Sequence, residues 1–316
     1  MNKTKLSLQI KEKASLLGFS ACGIAPSDVV AKEDKIYLRE WLDTNKHAEM
    51  KYMGDHFEKR CDPRLLVQGT QSIISVALNY SPEKKLHDDQ LQFAYYAYGM
   101  DYHEVIKKKL SLLLNYITEK VDQVSGKVFC DTAPVLERFW AQQAGLGWIG
   151  KHTQLIIPGK GSYFFLGEIF LDIELEYDTP GADRCGSCSR CIETCPTNAL
   201  EHSHILNANN CISYLTIENK GEIPKAFASK LGTHLYGCDE CQKVCPWNRF
   251  SISTQIAELQ PSTKFMEMQS SDWNSLTIEE YRTLFKGSAV KRAKYEGLMR
   301  NLKSIKMEEQ NNKNKE

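Results

Sequence analysis

The chain has 316 residues, 42% of them hydrophobic, and carries 40 basic against 40 acidic side chains, which is enough apolar material for two or three domains. Zero formal charge excludes a global electrostatic pull toward nucleic acid or membrane, so any such partner has to be met by a local patch. The amino-terminal segment shows no apolar signal core, twin-arginine signal or cleavage site, and no run approaches the roughly 20 apolar residues of a membrane helix.

In chain order, Ile10 to Leu17 has helical spacing, Phe19 to Ile24 reads as a strand, and Ile36 to Leu42 is helical again. Ser72 to Leu78 is a continuous β-prone run, as expected of a strand buried on both faces. Val105 to Val121 is a periodic helix. Val128-Phe129 ends a strand and Pro134 is predicted to open a helix, with Asp131 in the turn between them. Leu155 to Ile157 and Tyr163 to Leu171 flank Pro158-Gly159-Lys160-Gly161, which predicts a hairpin. This alternation argues for an α+β fold whose first domain, residues 1–177, is layered. Residues 178–183 read as a linker into a cysteine-rich module ending near 250. Residues 251–316 read as a helical region with a charged tail, Met307 to Glu316, expected to be disordered.

Eight of the eleven cysteines fall between Cys185 and Cys245. In an unexported, cytoplasmic chain, as the amino terminus predicts, cysteines are expected to serve metals or redox chemistry. Cys185, Cys188, Cys191 and Cys195, followed by Pro196, match the bacterial ferredoxin spacing C-x2-C-x2-C-x3-C-P residue for residue. Three closely spaced thiolates wrap one cubane, and the cysteine before proline reaches the other. The second run, Cys238, Cys241 and Cys245-Pro246, lacks a leading cysteine. Two cubanes need eight thiolates, and Cys211 is the one that remains in the module. The first cluster is therefore assigned to Cys185, Cys188, Cys191 and Cys245, and the second to Cys195, Cys211, Cys238 and Cys241. Zinc is the competing reading of Cys-x-x-Cys pairs, but crossed Cys-Pro endings disfavour it. Two clusters in series imply single-electron relay, and the roughly 175 preceding residues give the electrons a destination within the chain.

Upstream, the pointed stretch is Cys130-Asp131-Thr132-Ala133-Pro134 with Glu137-Arg138, continuing to Gly145, Gly147, Gly150 and Lys151. Asp131 reads either as an acid or as a helix N-cap. His103 reads as a ligand, a base or a polar cap, and Arg60 as an anion contact or a surface arginine. Cys22, Cys61 and Cys130 read as buried small hydrophobes.

Taken together these residues resemble the epoxyqueuosine reductases of tRNA modification over nearly the whole chain. The motifs are Glu58-Lys59-Arg60, Gly99-x-Asp101-Tyr102-His103, Asp131 to Pro134 with Glu137-Arg138, and Ala144 to Lys151. They continue in Cys211 to Thr216, Leu235 to Gln242, Ser288 to Arg292 and Arg300-Asn301. The resemblance implies two [4Fe–4S] clusters and cobalamin, bound in the first domain. It also implies removal of the epoxide oxygen from epoxyqueuosine at the tRNA wobble position, with electrons from an external low-potential donor. By position, Asp131 would be the proton donor above the cobalt. Arg60, Lys151, Leu155, Leu166 and Ser213 fall where the family contacts the corrinoid. Burial against the corrin face is expected to raise the Asp131 pKa. Some relatives have a cysteine where Ala94 stands here, so a contact through that side chain is missing. Some also extend into a helical-repeat domain for which this chain ends too soon. The competing readings are a dehalogenase-like corrinoid reductase and a two-cluster electron carrier.

From Lys286 to Lys303 the chain holds Lys286, Lys291, Arg292, Lys294, Arg300 and Lys303 against Glu296 alone. This patch is expected to meet tRNA phosphates, with Lys291, Arg292 and Arg300 as contacts. The protein is expected to act as a monomer away from membranes.

Overall fold

The structure, a computed structural model, describes the backbone of residues 2–313 and the side chains of residues 2–307. Its centre is a four-stranded antiparallel sheet of β1 (Ala21–Pro26), β2 (Ser72–Asn79), β3 (Gly126–Phe129) and β4 (Phe164–Leu171), in the order β1-β2-β4-β3. Every residue of β2 is buried because the sheet is covered on both faces. Ile74, Val76 and Leu78 pack with α1 (Lys3–Leu16) and α3 (Tyr102–Lys120). Ile73 and Ala77 pack with α2 (Lys32–Asp43) and α4 (Glu137–Gln143). Two-sided burial explains the unbroken apolar run in an antiparallel strand. Each large side chain so buried contributes about 1.5–3 kcal/mol.

Local chemistry sets the helices. Asn2 caps α1 through a bond from the Lys5 amide at 3.2 Å, and Leu6, Ile10 and Ala14 form its buried stripe. Strand β1 passes directly under the end of α4: a Cβ on Gly23 would lie 1.9 Å from the Ala144 carbonyl oxygen. That close approach seats α4 on the sheet and fixes the position of its first residue, Glu137.

Three sequence expectations change. Leu155 and Ile156 pair with Trp148 and Ile149, not with β4; a single bridge, Ile157 to Gly161, closes the Pro158–Gly161 turn. Strand β4 is instead claimed on both edges by β2 and β3, where its eight residues complete the sheet. Helix α4 starts at Glu137 and not at Pro134, because the three intervening residues turn back on themselves through a Val135 to Ala133 bond. The last helix runs from Lys294 to Lys313, past the point where disorder was expected, and residues 314–316 lie outside the described residues.

The cysteine-rich and carboxy-terminal stretches share a core with the sheet. One apolar cluster runs from Leu6 through Ile74 and Leu235 to Leu298, Leu302 and Ile305. Phe93, Phe265, Trp273 and Phe285 join in one aromatic stack within it. The 178–183 segment is also fastened: Asp178 accepts from the Ile24 amide at 2.9 Å and pairs with Lys11 at 2.6 Å.

Candidate active site and cluster ligands

The two cysteine runs each carry a one-turn helix, Arg190–Glu193 and Glu240–Lys243, and these bring thiols far apart in sequence into two groups. Burial, and then the neighbouring Cys245, Cys185 and Cys188, push Cys191 up to about 11. Burial also raises Cys211, with Cys195 the neighbouring charge. Cys241 is raised by burial and by Cys238 and Cys211. Cys191, of the first run, also stands near Cys241, so the thiols of both runs lie in one neighbourhood. A cavity of about 240 Å³ is lined by Cys185, Cys188, Cys191 and Cys245 together with His152 and Trp247. Trp148 Nε1 donates to Cys185 Sγ at 3.4 Å and the Ala199 amide to Cys195 Sγ at 3.2 Å. Among the described residues no three His, Cys, Asp or Glu side chains converge tightly enough to chelate one ion; a cubane holds its thiolates at the corners of a larger body. Lys151 ties the loop of the first quartet in place, donating to the carbonyls of Gly186 at 2.6 Å and Cys188 at 2.9 Å.

The second centre is Asp131. Between the end of β3 and the start of α4 the chain turns through Asp131 at φ +57°, a left-handed conformation that costs energy for a residue with a Cβ. The residue is not a helix cap: the N-cap of α4 is Leu136. Its side chain is 56% exposed and accepts from Tyr102 Oη at 2.6 Å and His103 Nε2 at 3.1 Å. Tyr102 is held by stacking on Phe165 of β4, with centroids 4.3 Å apart and planes 6° from parallel.

His103 lies between two carboxylates. Its Nδ1 meets Asp101 at 2.6 Å while Nε2 meets Asp131. Two acceptors on one ring require both nitrogens to be donors, which is the imidazolium. Asp101, more than Asp131, raises the His103 pKa to about 9. In return the His103 bond, followed by Tyr102, holds the Asp131 carboxyl below the usual carboxylate range. Without the corrin face against it, the charged and hydroxyl donors outweigh desolvation at Asp131. The cap of α3 is Asp101, not His103: Asp101 accepts the His103 amide at 3.2 Å and also pairs with Lys291 at 2.8 Å.

Beneath the Asp131 turn lie two more acids. Glu137 accepts the Asp131 amide. Glu168, in mid-strand on β4, is 0% exposed and directly opposite Ser75 of β2 and Phe129 of β3. Neither acid was singled out individually from the sequence. The signal for Glu168 was an isolated carboxylate inside the apolar run Tyr163 to Leu171; for Glu137 it was spacing from Asp131.

The remaining sequence candidates fall into distinct settings. Leu155 is buried and Leu166 half-buried in the cluster that also holds Ala133 and Leu136 of the Asp131 turn. Arg60 is 8% exposed and donates to the Tyr52 carbonyl at 2.8 Å. The Tyr52 ring stands under Arg292, 6.0 Å from its guanidinium. Ser213 is half-buried on the helix Ile212–Ile217, at whose end Glu218 takes a bidentate bond from Arg292, both distances 2.7 Å. Lys291 and Arg292 remain 61% and 55% exposed. Arg300 instead points inward, to the carbonyls of Leu215, Asn219 and Gly221. Ala94 is 3% exposed and packs against Gly237, where an added Cβ would lie 2.6 Å from its own. That position offers no donor atom.

The description of a 4Fe-4S double cluster binding domain matches residues 184–248, and that of "Epoxyqueuosine reductase QueG, DUF1730" matches residues 60–132. The epoxyqueuosine reductase of Cellulophaga algicola is 45% identical over 304 residues, covering 96% of this chain and 99% of that protein. That of Pseudomonas aeruginosa is 41% identical, covering 94% and 84%. Among solved structures, an epoxyqueuosine reductase with a tRNA-Tyr epoxyqueuosine-modified stem loop superposes with a TM-score of 0.87 at 29% identity, covering 97% of this chain and 82% of that one. A Bacillus subtilis epoxyqueuosine reductase whose catalytic aspartate loop is swung out of the active site gives 0.88, with the same identity and coverage.

Proposed function

The chain belongs to the epoxyqueuosine reductase family, and from that premise we propose that it reduces epoxyqueuosine to queuosine at the tRNA wobble position, with Asp131 protonating the departing oxygen. The observation that carries this reading is the Asp131 carboxylate, presented to solvent on a left-handed turn and backed by an imidazolium and a phenol. The overall change is C–O–C epoxide plus two electrons and two protons to alkene plus water. When bound, the two [4Fe–4S] clusters supply single electrons and cobalamin supplies a low-valent cobalt able to reduce carbon.

The residues fit these groups. Two thiol quartets suit the clusters. For the corrin, Leu155 and Leu166 offer apolar surface beside the Asp131 turn and Ser213 a hydroxyl. Arg60 and Lys151 would act through the backbone they hold, the Tyr52 segment and the first cluster loop. With no donor at Ala94, the chain gives no side-chain ligand from that position.

Proton delivery follows from the bonded chain. His103 is an imidazolium at neutral pH and hands a proton to Asp131, which passes it to the oxygen as the C–O bond breaks. Tyr102 steadies the carboxylate between transfers. Lys291 and Arg292 face solvent next to this site and suit tRNA phosphates, while Arg300 shapes the surface from within. Among the described residues no helix is long and apolar enough to cross a membrane; we place the enzyme in the cytoplasm as a monomer, drawing on an external low-potential donor. The test is anaerobic turnover of epoxyqueuosine-containing tRNA by reconstituted protein, read by nucleoside mass spectrometry. Queuosine that forms only with cobalamin supports the reading; no product from protein with full iron and bound corrinoid overturns it.

A further inference from the structure

The reaction consumes two protons, and His103 accounts for one. Below the Asp131 turn, both Glu168 carboxyl oxygens and the facing Ser75 hydroxyl are buried without a hydrogen-bond partner among the described residues. Such a group is costly unless neutral or paired. The polar group that reaches Glu168 is the Glu137 carboxyl, at the start of the helix laid across this face of the sheet. Two carboxylates offer only acceptors, so they bond to each other only by holding a proton between them. Glu137 in turn accepts the Asp131 amide.

We propose that Glu137 and Glu168 form a proton-sharing carboxyl pair that positions the Asp131 turn and supplies the second proton of the reaction through Asp131. This rests on the reading of Asp131 as the acid. In sequence, the Asp131 carboxylate takes a proton from His103 and gives it to the oxygen, which returns Asp131 to its ionised form. Glu137 then releases the shared proton to Asp131, the oxygen leaves as water, and the pair, left with one additional negative charge, recovers its proton from solvent through the same turn. Two electrons enter through the clusters, so charge and atoms balance.

The surroundings favour the neutral pair. Burial first, and Glu137 after it, raise Glu168; burial followed by Asp131 raises Glu137. The charged or titratable groups facing the pair are Cys130, Asp131, Tyr102, His103 and Arg138. Arg138 directs its guanidinium to Thr153, and burial pushes the Cys130 thiol up, leaving it neutral. Glu137 is half-buried where Glu168 is wholly enclosed, giving the proton an exit on one side only.

Two variants test this: Glu168→Gln, which keeps the shape and can donate to Glu137, and Glu137→Gln. Infrared spectra of the substrate-free holoenzyme should show a protonated-carboxyl carbonyl band at neutral pH that each variant abolishes. Turnover in Glu168→Gln should fall on the order of 10- to 100-fold. KM for tRNA and the rate of cluster reduction should stay unchanged, and the solvent-isotope proton inventory should drop from two protons to one. A band that survives in both variants, or a fall in turnover with wild-type isotope and pH behaviour, overturns the proposal. Because the infrared readout needs no substrate, a wild-type enzyme with the band but without queuosine formation would discard the substrate reading and leave the pair intact.

Discussion

The cluster module and the acid site are built on opposite principles. In the module, seven of eight thiols sit in two short runs, and each run is folded by a one-turn helix. The acid site draws single residues from the start of α3, the turn after β3, the first position of α4 and the middle of β4. A site of the first kind tolerates little change in spacing but needs few distant contacts. One of the second kind depends on the whole sheet, because a register shift by one residue would turn Glu168 to the other face.

The largest expected effect tests the crossing of the cysteine runs. Cys245→Ser removes a thiol from the second run, yet should strip the cluster held by Cys185, Cys188 and Cys191. Iron would fall from about eight to about four per chain and turnover would be lost. If the remaining cluster is instead the one held by the first run, the crossed assignment is wrong.

Asp131→Asn should keep the fold, both clusters and tRNA binding, while turnover falls on the order of 10²- to 10⁴-fold. Near-normal queuosine formation by this variant would remove Asp131 from the acid role.

Next comes the joint between the two regions. Asn301 is 0% exposed and donates to the carbonyls of Thr216 at 2.8 Å and Leu235 at 2.9 Å, tying the last helix to both sides of the second thiol quartet. Asn301→Ala leaves two buried acceptors unmet and should destabilise the protein by about 2–3 kcal/mol, measured by denaturant midpoint. A loss confined to cluster two, without loss of global stability, would mark the joint as local.

The smallest effect is in pH. His103 has a folded pKa raised to about 9 from 6.5, so its ion pairs stabilise the fold fully below the unfolded pKa and this contribution fades as pH rises through 9. Asp131 is depressed, so its share is present above the ordinary carboxylate range and fades as pH falls. Turnover should therefore decline above about pH 9, and His103→Gln should erase that limb. An unchanged alkaline limb in the variant would assign it to another group.

Much of the cysteine chemistry could be read in the chain because ligand spacing is a local property: Cys185 to Pro196 carries its geometry in its own sequence. Asp131 was also visible, since it sits where a strand gives way to a helix, but its environment was not. The donors that bond it and lower its pKa, His103 and Tyr102, lie about thirty positions earlier in the chain. The hairpin expected at Leu155 to Leu171 failed for a related reason. Tyr163 to Leu171 does read as a strand, but only the layers on both of its faces decide that it pairs with β2 and β3.

What the sequence by itself determined is the set of elements whose signals are short: β2 from its unbroken apolar run, α3 from its periodicity, the two thiol runs from their spacing. Tertiary structure alone decided which acid is charged, which arginine faces solvent, and how Glu168 comes to lie beneath Asp131. Charge state and exposure depend on neighbours brought together across the sheet, and those neighbours are fixed by packing and register, which no local pattern encodes.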